Sequence, residues 1–190
     1  MMIDLGTFEN KSGALRLSDP CYPDDTWCAE TVNCVTGTWE ASIVKKHVPD
    51  WGDRVFELIA RAKAQDGAST PWIEGGTLGV DSGQMGIFDE AYYDKRFKAT
   101  KEDINKAWDE PMPDSSDFYK VCCGITLSET QAGVMSVGVV SSTGLGDGSY
   151  DYYTEENQKG EVTGVKIVFL TDEDFVEQGE WEELDELPRV

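Results

Sequence analysis

Histidine is nearly absent from this chain, and positive charge is scarce. Its 190 residues include one histidine, and 16 Lys and Arg stand against 37 Asp and Glu, giving a formal charge of −21. Binding to phosphate backbones or anionic lipid needs clustered cations. The composition therefore speaks against direct nucleic-acid binding and against a membrane surface. The sole histidine, His47, lies beside Lys45 and Lys46. It has no recognisable nucleophile and orienting acid, so no serine triad is assigned and His47 reads as a surface residue.

Long apolar runs are also missing. A bilayer span needs roughly 20 apolar residues, and no stretch approaches that. The N-terminal MMIDLGTFENKSG carries an early acid and no sustained apolar core. It does not read as a secretory signal, so a cytoplasmic location is expected. The five cysteines are an odd number, which predicts reduced thiols rather than a disulfide framework. Six and five residues separate Cys21, Cys28 and Cys34, wider than the usual spacing of zinc ligand pairs. Cys122 and Cys123, read as part of a strand, would point to opposite faces. The glycine-rich stretch 75–86 lacks the Gly-Lys-Ser/Thr ending of a phosphate loop. No metal site and no cofactor are assigned.

What the chain does contain is β-strand pattern. Ala14–Leu17, Thr36–His47 and the two apolar pieces of 77–88, split by Asp81-Ser82-Gly83, read as strands. Arg54–Lys63 fits both a strand and a helical stripe, and is read as a strand pairing with its predecessor. Four further strands are expected at Phe118–Leu127, Gly133–Ser142, Ser149–Thr154 and Val162–Leu170. Their short connections require antiparallel pairing. Between the two β-rich parts, 89–113 reads as a small helical insertion, with Thr100 and Asp103 as an acidic capping box and Pro111 and Pro113 beyond the helix. Phe97, Ile104 and Trp108 are its expected buried edge. Residues 171–190 read as an acidic helix or tail, with Phe175, Trp181, Leu184 and Leu187 touching the body. The fold class expected is mainly β (α+β): one domain over 1–190, an antiparallel β-sandwich or partly open barrel.

The candidate functional residues sit in loops. Asp19 and Tyr22 lie in the proline-fixed segment after the first expected strand. Asp81, Ser82, Gln84 and Asp89 lie around the glycine-rich stretch, and Asp147, Ser149 and Tyr150 in the compact loop Gly144–Tyr150. Such residues cap turns as readily as they bind ligands. Asp147–Asp151 does not match the spacing of the calcium-binding helix-loop-helix. Whether Asp19, Asp81 and Asp147 meet around one concavity decides between a site and a set of turns.

Three segments carry a resemblance: Ser18-Asp19-Pro20-Cys21-Tyr22, Val80–Asp89 and Ser142–Tyr150. Together they resemble a bacterial and phage family described only as a domain of unknown function. The resemblance spans most of 12–170. Here Leu145 stands where that family usually has an aromatic, and Asp151-Tyr152-Tyr153 stands for its Pro-Val-Tyr. It implies a shared set of loops and no activity or cofactor.

Three functions follow from these readings. The first is a cytoplasmic, non-enzymatic binding module for a small molecule or a protein partner. The second is a metal-dependent hydrolase with Asp19, Asp81 and Asp147 as ligands and Tyr22 or Tyr150 as acid. The third is an acidic inhibitor or nucleic-acid mimic that binds a basic protein.

Overall fold

The computed structural model describes residues 1–63, 69–110 and 115–175. Eleven strands and two α-helices follow one another as β1 (Met2–Asn10), β2 (Ala14–Ser18), β3 (Glu30–Asn33), β4 (Gly37–Val48), β5 (Gly52–Ala62), β6 (Ile73–Val80), β7 (Gln84–Asp89), α1 (Lys101–Ala107), α2 (Phe118–Thr126), β8 (Ala132–Met135), β9 (Gly138–Ser142), β10 (Gly148–Glu156) and β11 (Val162–Val168). They form a six-stranded sheet, ordered β1-β4-β5-β11-β10-β6, and a five-stranded sheet, ordered β3-β2-β7-β9-β8. The strands within each sheet pair antiparallel. The result is mainly β and sandwich-like, and the sheets do not close into a barrel.

Alternation along the strands produces the layers. On β4, Trp39, Ala41 and Ile43 are buried and Glu40 is exposed; on β5, Leu58 and Ala60 face the core, and Ile59 between them is buried outside it. These side chains meet Leu15, Leu17, Met85 and Ile87 from the smaller sheet in one apolar core. β7 is buried along its whole length, because its second face carries another cluster of Phe88, Tyr93, Phe97, Phe118, Val121 and Ile125. A strand covered on both sides cannot show period-two polarity.

That second cluster is where the sequence reading of 118–127 fails. Phe118–Thr126 is an α-helix, not a strand, with Phe118, Val121, Cys122 and Ile125 buried. Spacings of three and four put these four residues on one face. β-branched and aromatic content hid a helical stripe. Cys122 is consequently buried while Cys123 is half-buried, as helical neighbours rather than as opposite faces of a strand. Gly133–Ser142 is likewise not one strand but the hairpin of β8 and β9, turning at Ser136-Val137. β1 and β3 lie in stretches where the reading placed no strand.

Other readings match the structure. β4 and β5 pair as a hairpin, and the two pieces of 77–88 are β6 and β7. Over 89–110 there are two 3₁₀ turns, Glu90–Tyr92 and Asp94–Arg96, followed by α1. The Thr100 hydroxyl accepts from the Asp103 amide, and the Asp103 carboxylate accepts from the Thr100 amide, completing the capping box. The buried residues of this segment include Phe97, Asp103 and Ala107, whereas Ile104 and Trp108 are half-buried. In the C-terminal segment, the Phe175 ring lies 5.9 Å from that of Phe56; Trp181, Leu184 and Leu187 fall outside the described residues. Among the described residues, no helix is long and apolar enough to cross a membrane.

Candidate functional site

At one end of the sandwich the chain crosses between the sheets twice. Asp81-Ser82-Gly83 carries it from β6 in the larger sheet to β7 in the smaller one, and Thr143–Asp147 carries it back from β9 to β10. Register brings the two corners together, since Gln84 faces Ser142 and Val80 faces Gly148. The Thr143 amide donates to the Gly83 carbonyl at 3.1 Å. Gly83, Gly144 and Gly146 adopt φ of 65°, 47° and 117°, which favours glycine strongly. At Gly144 a Cβ would also come within 2.6 Å of Leu170.

Asp19 fastens this end. β2 finishes at Ser18, opposite Gly86 of β7, so the next residue arrives beside the first corner. Its side chain is fully buried. Oδ2 accepts from the amides of Asp81 and Ser82 at 2.9 and 2.7 Å, and Oδ1 accepts from the Ser82 hydroxyl at 2.6 Å and the Cys21 amide at 2.9 Å. With four donors on it, the carboxylate is a clamp for the corner.

Tyr150 performs the same task for the second corner. Its hydroxyl donates to the Gly146 carbonyl at 2.6 Å, the Thr143 hydroxyl donates to the same oxygen at 2.7 Å, and the ring packs edge-on against Phe169. Partial burial raises its pKa. Asp147 and Ser149 are exposed. The Asp81 and Asp147 loops therefore meet through their backbones and the Asp19 loop joins them through its carboxylate, so the carboxylates part: one buried and clamped, two exposed. Among the described residues no three His, Cys, Asp or Glu side chains gather as a metal-ligand set.

Two surfaces flank the joined corners. On one, thiols and hydroxyls gather around Ser82. Gln84 Nε2 lies 3.4 Å from the Ser82 hydroxyl oxygen and 3.5 Å from Cys123 Sγ, while Gln84 Oε1 accepts from the Thr126 hydroxyl at 3.0 Å. Cys21 and Tyr119 make polar contact with Ser82, and Tyr119 also contacts Cys123. Desolvation of the sulfur, reinforced by contact with Asp19 and by its charge, pushes the Cys21 thiol up to about 12. Tyr22 is raised too, by desolvation and by contacts with Cys28 and Asp81. Held neutral, the Cys21 thiol and the Tyr22 phenol offer hydrogen bonds rather than nucleophiles. The histidine that would be needed as a base is occupied elsewhere: His47, on β4, is exposed and sits 3.0 Å from Asp53.

The other surface is a hollow of about 270 Å³. Gly83 and residues 142–146 form one wall, and Trp51 and Arg54 from the β4–β5 hairpin, with Gln131 and Thr126, form the rest. Trp51 and Leu145 are 51% and 44% exposed, so the apolar surface of the hollow is open to a ligand. Gln131 donates to the Asp53 carbonyl at 3.3 Å, and its Oε1 is buried without a hydrogen-bond partner.

None of the nine candidates named from the sequence lines this hollow. Asp19, Gln84 and Tyr150 stand behind or beside its wall and hold it. Asp89 lies at the opposite end of β7, where it is buried and accepts from the amides of Lys11, Ser12 and Ala91. The residues missed were Trp51, Arg54, Thr126 and Gln131. Trp51 had a readable signal, since a tryptophan in the turn Pro49–Asp53 has no strand to bury it.

Comparison of the chain with protein-family models, curated proteins and solved structures finds no match.

Proposed function

We propose that this protein is a non-enzymatic binding module whose ligand, a small molecule, seats in the hollow beside the joined corners. The observation that supports this reading is the construction of its wall. Two sheet crossings are bonded to each other and clamped by Asp19 and Tyr150, so the wall is rigid before a ligand arrives. Preorganisation lowers the ordering cost of binding. Trp51 and Leu145 supply apolar surface, Arg54 a cation and Ser142 a hydroxyl, a composition usual for ligand sites.

Isothermal titration against metabolite and nucleotide pools, fractionated to the active component, tests the reading. Wild-type protein is expected to bind, Trp51→Ala combined with Arg54→Ala to weaken binding at least roughly tenfold, a loss of ~1.4 kcal/mol, and the exposed Asp147→Ala to leave it unchanged. Absence of binding, or full retention in the double variant, refutes it.

The charge of −21 favours a second reading, in which the acidic surface associates with a basic protein. Such association is steered by charge and weakens with salt. A basic partner recovered equally well at low and high salt would argue against it.

A further inference from the structure

A second pocket, of about 240 Å³, lies where the 3₁₀ turns and α1 cover the end of β1 and the β8–β9 turn; Lys11, Tyr92, Arg96, Lys98, Ser136 and Val137 are among its walls. Three cations around one pocket are unexpected in a chain where acids outnumber bases 37 to 16. The surrounding acids are already engaged. Asp24 and Glu90 pair with Arg96. Asp103, buried behind the pocket, accepts from the amide and hydroxyl of Thr100 and of Ser136 at 2.6–2.8 Å. Glu9, the one acid in the wall, accepts from the Thr38 hydroxyl at 2.6 Å. Lys11 and Lys98, by contrast, have no carboxylate partner among the described residues.

The placement of Lys11 is built in. Its amide and that of Ser12 donate to Asp89 Oδ2, and Asp89 Oδ1 accepts from Ala91. One buried carboxylate thus ties the β1–β2 turn to the 3₁₀ turn bearing Tyr92. Lys11 Nζ ends 5.5 Å from the centre of the Tyr92 ring. A cation held over a ring, a second lysine in the wall, and Val137 form a surface with separate cationic and apolar parts.

We infer that this pocket binds a small ring-bearing oxyanion, a phosphate or carboxylate, with its charge between Lys11 and Lys98 and its ring on Tyr92 and Val137. The hydroxyl protons of Thr100 and Ser136 are both given to Asp103, so these hydroxyls donate nothing to the oxyanion, which is left to Lys11 and Lys98. This site is separate from the hollow beside the corners and does not depend on it.

Phenyl phosphate, benzoate, inorganic phosphate and phenol, titrated at low salt and followed by backbone amide shifts, test the inference. Phenyl phosphate or benzoate is expected to bind saturably, with shifts around Lys11, Tyr92 and Lys98; whichever binds tighter identifies the oxyanion. Lys11→Gln combined with Lys98→Gln should weaken binding at least roughly tenfold, while Lys46→Gln, near the other end of β4 from the strand position facing Glu9, should not. Lys11 and Lys98 are exposed, and an unchanged melting temperature will show that the fold is kept. Absence of saturable binding by either ring-bearing anion, or equal affinity in the double variant, overturns the inference. Inorganic phosphate binding as tightly as phenyl phosphate overturns the ring contact, and phenol binding as tightly overturns the anionic one.

Discussion

At Cys21 three neighbours decide the state of one proton. Desolvation, then the Asp19 contact and charge, raise the thiol from 9.0 to about 12, and only the Ser82 contact opposes them. The folded chain thus holds this proton more tightly than the unfolded chain. The contribution to stability is complete below pH 9, where both states are protonated, and is lost as pH rises from 9 towards 12. The same displacement controls reactivity, because the thiolate is the nucleophile. Peptide mapping after iodoacetamide treatment at pH 8 is expected to show slower alkylation of Cys21 in the folded protein than in urea. Equal rates would contradict it. Asp19 shows how much of the site was legible in the sequence. An acid placed after a strand and before a proline was recognisable as important, but its role depends on whether donors from a distant turn reach it. Those donors, the amides of Asp81 and Ser82, lie 62 and 63 positions away in sequence, beyond any local pattern.

At the scale of the element, the helices were the least legible part. α1 announced itself through Thr100 and Asp103, because a capping box is a local bargain between side chains and backbone. α2 has no such signal: its N-cap residue Asp117 makes no side-chain cap bond. What holds α2 in place is packing. Phe118 meets Phe88, Tyr93 and Phe97 at 5.1, 5.0 and 5.5 Å, and Gly124 lets α1 approach closely, because a Cβ there would strike the Ala107 carbonyl. Gly124→Ala tests which effect wins. Helix propensity gains about 1 kcal/mol, whereas overpacking against a backbone atom costs ~1–3 kcal/mol. A net fall in the urea midpoint is expected, and Ala107→Gly should not fully rescue it, because it removes the Ala107 methyl but leaves the nearer obstacle, the carbonyl, in place. A midpoint raised by Gly124→Ala would mean that the two helices separate freely. The strands were easier to read for the opposite reason. β4 exposes one face, so polarity alternates along it, and β5 follows from it because a hairpin needs only its own turn.

For the whole molecule, charge decides a balance that no single contact sets. Of the seven ion pairs among the described residues, only Arg61–Glu155 has a well-buried partner, with the Glu155 side chain 8% exposed. Exposed pairs contribute ~0–1 kcal/mol each. Against them stands the mutual repulsion of a net charge of −21, which acts between all the surplus acids and favours an expanded chain. Salt screens both, reducing the Debye length from ~10 Å at 0.1 M to ~3 Å at 1 M. The pairs are few and short-range, with charges in contact at 2.6–3.5 Å, while the repulsion is spread over the surface at separations where screening is most effective. Raising sodium chloride from low concentration should therefore increase the melting temperature, most steeply in the first additions. Potassium chloride should match it, because diffuse screening does not distinguish the two cations. A melting temperature that falls with salt would show that attractive pairs, not repulsion, dominate the surface; a large difference between sodium and potassium would point to specific cation binding instead.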